Sequence, residues 1–233
     1  MNQRKMNREF TLNKKHLVLT LNSDADESVF DEIFTERGYS ILDQLIQKAT
    51  ESIIDIGAHI GLFSVYARTL NSSAPIFAFE PEPNNYKLLK ENLKQNRIQN
   101  IVAKSIAVTS KSDQITLNIS QDSHNHSIIL PSETHIKVQS TTLERIIQQT
   151  PNQKCDLVKM DCEGAEFEII GLTSPETFTK IDTLYIEYHE YNPEMKKDSL
   201  RSTLEKNGFK TQVSQSHYDR RMGFILAIKQ HKS

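Results

Sequence analysis

From residue 52 onward the chain alternates short apolar runs of strand type with stretches of helical spacing, and that alternation restricts its fold more than any other feature. Residues 52–56 lead into a helical stretch reaching residue 70, and residues 76–80 into another over 84–95, followed by a strand-type run over 101–108. Strands separated by crossover helices pair in parallel, with helices covering both faces of the sheet. The pattern predicts an α/β fold, doubly wound around a mostly parallel sheet. Pro83 with Asn84 and Asn85 suits a helix start, and Tyr86, Leu89, Leu93 and Asn96 give that helix an inward face.

The remaining segments refine this scheme. Residues 114–120 and 135–140 alternate polar and apolar around a polar insert, 121–127, which predicts an antiparallel excursion at the sheet edge. Residues 142–149 read as a short helix, 156–161 as a buried strand, 166–172 as a helical turn or two and 183–188 as the next strand. A helix over 192–207 ends at Gly208, a C-cap position, and residues 209–214 and 223–229 close the sheet as an antiparallel hairpin. The first fifty residues differ: 11–21 alternates weakly as an edge strand, while 27–38 and 40–50 are charged and amphipathic. They are expected to form an N-terminal strand and helical cap, residues 1–50, on a domain spanning 51–233.

Composition excludes several classes of function. With 28 basic and 30 acidic side chains and a net charge of -2, the chain lacks the positive field that drives binding to a phosphate backbone, so nucleic acid is not a favoured partner. The longest apolar stretches, 53–67 and 223–228, fall short of the ~18 continuous apolar residues of a membrane span. The basic residues 1–15 lead only into a short alternating run, too polar for a signal peptide, and a cytoplasmic location is expected. Cys155 and Cys162 would lie roughly 20 Å apart along a strand at ~3.3 Å per residue, so free thiols are expected.

The chemistry begins at Asp55-Ile-Gly-Ala-His-Ile-Gly61, a loop between a strand and a helix. Its two glycines bracket three residues, unlike the dinucleotide fingerprint, and an acid precedes them. A carboxylate there repels a pyrophosphate and attracts an ammonium. Glu80, 19 residues after Gly61 at the end of the second strand, is placed to accept from ribose hydroxyls. A nucleoside with a cationic amino-acid tail meets both requirements, and S-adenosylmethionine is such a molecule. Glu80 would hold the ribose, Pro81 would pack on adenine with Ile106 and Ala107 nearby, and Gly57 to Gly61 would pass beneath the methionine portion, whose ammonium Asp55 would face. Taken alone, the loop is also the sequence of a tight strand-to-helix turn.

Three ordered motifs resemble the FkbM family of S-adenosylmethionine-dependent methyltransferases: Asp55-Ile-Gly-Ala-His-Ile-Gly-Leu-Phe-Ser64, Phe77-Ala-Phe-Glu-Pro-Glu-Pro-Asn-Asn-Tyr86 with Asn92 and Asn96, and Leu157-Val-Lys-Met-Asp-Cys-Glu-Gly-Ala-Glu166. The resemblance runs from about residue 50 to about residue 190, including Thr141-Thr-Leu143 and Ile186-Glu-Tyr-His189. It implies a seven-stranded class I, Rossmann-like methyltransferase sheet and O-methylation of a hydroxyl on a sugar, glycolipid or natural-product acceptor. It also draws Ala58, His59 and Ser64 into the expected cofactor loop, although many members carry Asn where His59 stands.

Methyl transfer to an alcohol requires an aligned acceptor, exclusion of water and removal of a proton. Asp161 and Glu163 at the end of one strand, and Glu187 and His189 at the end of the next, are the candidates. His189, with an ordinary pKa of about 6.5, suits a general base. Asp161 is expected to orient the acceptor or the methionine ammonium, and Glu163 is either catalytic or a helix-start acid. Asp161, Glu187 and His189 are also a weaker candidate set for Mg or Mn, not favoured over a metal-free site. His124 and His126 in the polar insert could touch substrate. An RNA (tRNA) base methyltransferase and a cofactor-binding module without catalysis are the competing readings. The near-neutral charge disfavours the first, and the set of motifs the second.

Overall fold

The computed structural model describes residues 5–120, 127–130, 132–216 and 219–230, so His124 and His126 lie outside the described residues. Strands β1 (Met6–Leu12) and β2 (Lys15–Leu21) form an antiparallel hairpin of their own. Asn13 and Lys14 turn it with φ of 48° and 63°, the left-handed pair that suits strand twist. The single strand expected over 11–21 is thus two strands, because the turn carries no glycine to announce it. Helix α1 (Asp24–Phe30), capped by the Ser23 hydroxyl, continues into a π-helical turn, Asp31–Thr35. A 3-10 turn and α2 (Asp43–Lys48) complete the cap.

The main sheet holds seven strands in the order β11-β12-β10-β9-β3-β4-β5. Strands β3 (Ile53–Ile56), β4 (Ile76–Phe79), β5 (Ile101–Lys104), β9 (Cys155–Met160) and β10 (Ile181–His189) pair in parallel. Strand β12 (Met222–Lys229) runs antiparallel to both β10 and β11 (Phe209–Gln215), giving the expected closing hairpin. The strand expected over 101–108 breaks after Lys104. Its second part, β6 (Ala107–Val108), joins β8 (Thr134–Thr141) and β7 (Gln114–Ile119) in a separate three-stranded sheet, the anticipated excursion.

Side chains alternate between two cores, one on each face of the sheet. Ile53, Ile76 and Leu157 face the cap, α3 (Leu62–Leu70) and α4 (Pro83–Gln95). Ile54, Ile56, Val158, Met160 and Ile186 face α5 (Leu143–Ile147), α6 (Glu166–Leu172), α7 (Pro175–Thr179) and α8 (Lys197–Lys206). Helix α7, capped by Ser174, was not anticipated from its five residues. Helix α8 starts five residues later than the expected 192, because the Asn192 side chain accepts from Glu194 N and Met195 N and holds a turn there. The free Cys155 and Cys162 are not joined. No helix among the described residues is long and apolar enough to cross a membrane.

Two asparagines of α4 fasten the cap to this framework. Asn92, fully buried, accepts from Thr20 N (2.8 Å) and donates to Thr20 O and Ile60 O. Asn96, one turn on, makes the same pair of bonds with Val18 N and Val18 O, both 2.8 Å. Their amides thereby act as a surrogate strand along the open edge of β2. Asn92→Ala would strand buried backbone groups in both β2 and the loop after β3. It is expected to lower the unfolding free energy in urea by about 3 kcal/mol, whereas Lys87→Ala on the exposed face of α4 should change it by less than about 0.5 kcal/mol.

Candidate functional site

A cavity of about 750 Å³ opens at the carboxyl ends of β3, β4, β9 and β10, roofed by the cap. Sheet order reverses between β3 and β9, the switch point where open α/β sheets bind ligands. The β3 loop takes its shape from backbone contact. Gly57 has φ +73°, and a Cβ there would lie 1.6 Å from the Asp161 carbonyl oxygen. Gly61 has φ +88°, and its Cβ would meet Leu89 Cγ at 3.0 Å. Both glycines are therefore required by the fold itself, before any ligand is considered.

Glu80, 5% exposed at the end of β4, lines the cavity. His59 N donates to its Oε2 (2.8 Å) and Glu82 N to its Oε1 (2.9 Å), which fixes the carboxyl in place. Burial pushes it up to about 7, against the lowering effect of His59 and of these two N–H groups. The His59 ring turns toward the cap, its Nε2 3.2 Å from Oδ1 of the buried Asp26. The His59 side chain thus bridges the loop after β3 to α1.

Beneath the loop runs a buried charged row. Lys159, Asp55 and Tyr185 are register neighbours across β9, β3 and β10. Lys159 Nζ donates to Gly57 O (3.0 Å) and stands 3.5 Å from Asp55 Oδ1 and 3.6 Å from Asp161 Oδ2. Burial opposes the lysine's charge, but Asp161 and Asp55 outweigh it and raise its pKa. Asp55 accepts from the Ser64 hydroxyl (2.7 Å), and its pKa is raised by burial although Lys159 opposes the shift. Asp55 and Ser64 shape the loop from below and do not line the cavity.

At the end of β9, Glu163 (φ 53°) and Gly164 (φ 98°) turn the chain sharply. Glu166, fully buried, holds this turn by accepting from Cys162 N (2.8 Å) and Gly164 N (2.9 Å). Glu166 Oε1 also lies 3.3 Å from His189 Nδ1, and Glu163 Oε1 lies 3.7 Å from His189 Nε2. Burial discourages charge on His189, but the hydrogen bond and charge of Glu166, with the charges of Glu163 and Asp161, push it up to about 10. The Tyr191 hydroxyl donates to Glu163 Oε2. His189 is a buried cation behind the cavity wall, and an imidazolium has no lone pair with which to take a proton. The expectation of a free base titrating near 6.5 is corrected by these carboxylates.

The structure brings Gly57, Ala58, His59, Glu80, Pro81 and Ala107 together around one part of the cavity, with Asp161 and Glu163 beside them. Gly61 and Ile106 pack behind it, with Asp55, Ser64 and His189. The metal-type grouping is Asp161, Glu163 and His189, whose ligand atoms fall within 4.8 Å, so Glu163 stands where Glu187 was expected. The same side chains also take part in ion pairs, Asp161 with Lys159 and His189 with Glu166. Sequence reasoning missed Lys159, although a lysine inside Leu-Val-Lys-Met was a visible signal. It also missed Glu32, Tyr39, Tyr185 and Phe224, which the cap and β10–β12 carry into the cavity wall. Burial, then Asp161, pushes Glu32 up to about 7 and Glu187 well above the carboxyl range.

The family model described as Methyltransferase FkbM domain matches residues 55–211. Methyltransferase sdnD of Sordaria araneosa is 26% identical over 214 residues, covering 78% of this chain and 81% of that protein. The hexuronic acid methyltransferase AglP of Haloferax volcanii is 24% identical over 148 residues, 62% of this chain and 59% of that protein. Among solved structures, methyltransferase FkbM from Methylobacillus flagellatus KT shares the fold with a TM-score of 0.53 at 16% identity, over 76% of this chain and 43% of that one. With the seven-stranded sheet, its switch-point cavity and a family match over most of its length, the chain belongs to the FkbM family of methyltransferases.

Proposed function

We propose that the protein is an S-adenosylmethionine-dependent O-methyltransferase acting on a hydroxyl of a sugar, glycolipid or natural-product acceptor. The observation that carries the reading is Glu80, a buried carboxyl locked by two backbone N–H groups and turned into the cavity beside Pro81, Ala107 and the Gly57 loop. Carboxylate lone pairs left by those two bonds accept from ribose hydroxyls, and Pro81 and Ala107 offer apolar contact to adenine. When bound, S-adenosylmethionine supplies a sulfonium-activated methyl group. Relatives named 2-O-methyltransferase NoeI and 31-O-demethyl-FK506 methyltransferase FkbM support oxygen as the acceptor atom.

The chain's own residues divide the remaining work. Asp161, its side chain 29% exposed and held beside Lys159, orients the acceptor hydroxyl. Glu163, a cavity carboxyl raised by burial to about 7, takes up the hydroxyl proton at its carboxylate. The Glu166–His189 pair keeps Glu163 in place and its charge balanced. The cap covers the cavity and excludes water from it.

Two measurements check this reading. Calorimetric titration with S-adenosylhomocysteine should show binding that weakens about tenfold or more in Glu80→Ala, since a buried hydrogen bond to a charged group contributes about 1.5–3 kcal/mol. Unchanged affinity in that variant would refute the ribose placement. Hydroxyl donors favour the ionised Glu80, whose unliganded pKa is raised to about 7, so binding expels its proton. Affinity should therefore rise about tenfold between pH 6 and pH 8 and level off above, and Glu80→Gln should flatten that profile.

A further inference from the structure

Two acidic side chains of the cavity make no direct hydrogen bond or ion pair among the described residues, although Lys159 acts on both and His189 on Glu187. Asp55 and Asp161 share Lys159, Glu163 and Glu166 share His189, and Glu80 is held by two backbone donors. Glu32 and Glu187 also line the cavity, one from the π-helical turn of the cap and the other from the end of β10. Neither carboxylate has a hydrogen bond or an ion pair among the described residues. A partly buried carboxylate without a partner is costly, and two facing the same space repel each other.

A second observation points to a ligand in the same place. Tyr39 is 4% exposed and Tyr185 6%, both line the cavity, and their hydroxyls, which make no hydrogen bond among the described residues, open onto it. A tyrosine hydroxyl open to a cavity is free to bond a ligand there. The rings build an aromatic wall: Tyr185 and Phe224 stack with centroids 5.3 Å apart at 9°, and Tyr39 meets Tyr185 edge-on at 5.6 Å. Phe224 stands opposite Glu187 in the β10–β12 register, so wall and carboxylate share one face of the sheet. Carboxylates beside aromatic faces are the surroundings that attract an organic cation.

We propose that the space between the π-helical turn and the end of β10 is the acceptor subsite, and that it takes an acceptor bearing an ammonium group, of amino-sugar type, held by Glu32 and Glu187 with its ring against Tyr185 and Phe224. The proposal rests on the methyltransferase reading above and narrows its acceptor. Tyr39 and Tyr185 supply hydroxyls to the sugar's own hydroxyl groups. An acceptor carrying a carboxylate, such as a uronic acid, would set its charge beside Asp161 and two carboxyls that burial already holds against ionising, and is disfavoured.

The test uses the full chain saturated with S-adenosylhomocysteine and titrated with three matched probes: methyl glucosaminide, methyl glucoside and methyl glucuronide. The aminoglycoside is expected to bind about tenfold more tightly than the neutral glycoside, with the uronide weakest. Glu32→Gln and Glu187→Gln should each erase most of that preference while S-adenosylhomocysteine affinity, which also reports correct folding, stays within about twofold. Equal or tighter binding of the neutral or acidic probe, or no binding of any of the three, overturns the amine assignment and leaves the cofactor reading standing. Absence of S-adenosylhomocysteine binding by the parent protein overturns that reading and this one with it. Should one Gln variant misfold, the other decides, because each carboxylate comes from a different element.

Discussion

The ammonium of Lys159 is the contact on which the site depends. From the carboxyl end of β9 it reaches the Gly57 carbonyl and lies between Asp55 and Asp161, linking the loop after β3 to the loop after β9 across the switch point. A buried ion pair of this kind adds little net stability, because desolvation consumes most of the Coulombic gain. Its contribution is geometric. The same approach of the two loops forbids a side chain at residue 57, so charge and sterics fix one arrangement of the cavity floor.

The cap is joined to that floor by polar contacts as well as by the core beneath it. Asn92 and Asn96 satisfy the open edge of β2, Asn92 also holds Ile60 O, and His59 bridges to Asp26. The loop after β3 is therefore clamped from three sides, by the sheet, by α4 and by the cap. The π-helical turn that follows α1 brings Glu32 over the cavity, in keeping with the concentration of such turns at functional sites. The far wall depends on a separate network, in which Glu166 ties down the Cys162–Gly164 turn and pairs with His189.

Much of the fold was legible because periodicity reports burial directly. The five parallel strands, the long helix α4 and the closing hairpin all appeared as apolar runs or helical faces of sufficient length. The elements that escaped were short or turned without glycine: the β1–β2 hairpin, the five-residue α7 and the break that sends Ala107–Val108 into another sheet. Of the expected cofactor residues, Gly57, Ala58, His59, Glu80, Pro81 and Ala107 gather at the cavity, because each follows the carboxyl end of β3, β4 or β5 within three residues, where the topology places it. Asp55, Ser64 and His189 sit behind it, since side-chain direction at a strand end is set by the neighbouring strand and turn.

By itself, then, the sequence determined the parallel α/β sheet, the glycine loop followed at fixed spacing by Glu80-Pro81, and the methyltransferase family, all encoded in local pattern and in the order of motifs. Only the tertiary structure decided that His189 is a buried cation between two carboxylates, that Lys159 is the hub of the cavity floor, and that Glu32 from the cap faces Glu187 from β10. Each of these depends on contacts between residues more than twenty positions apart in the chain. Charge state and partner choice follow from burial and distance, and neither is written in the spacing of residues along a strand.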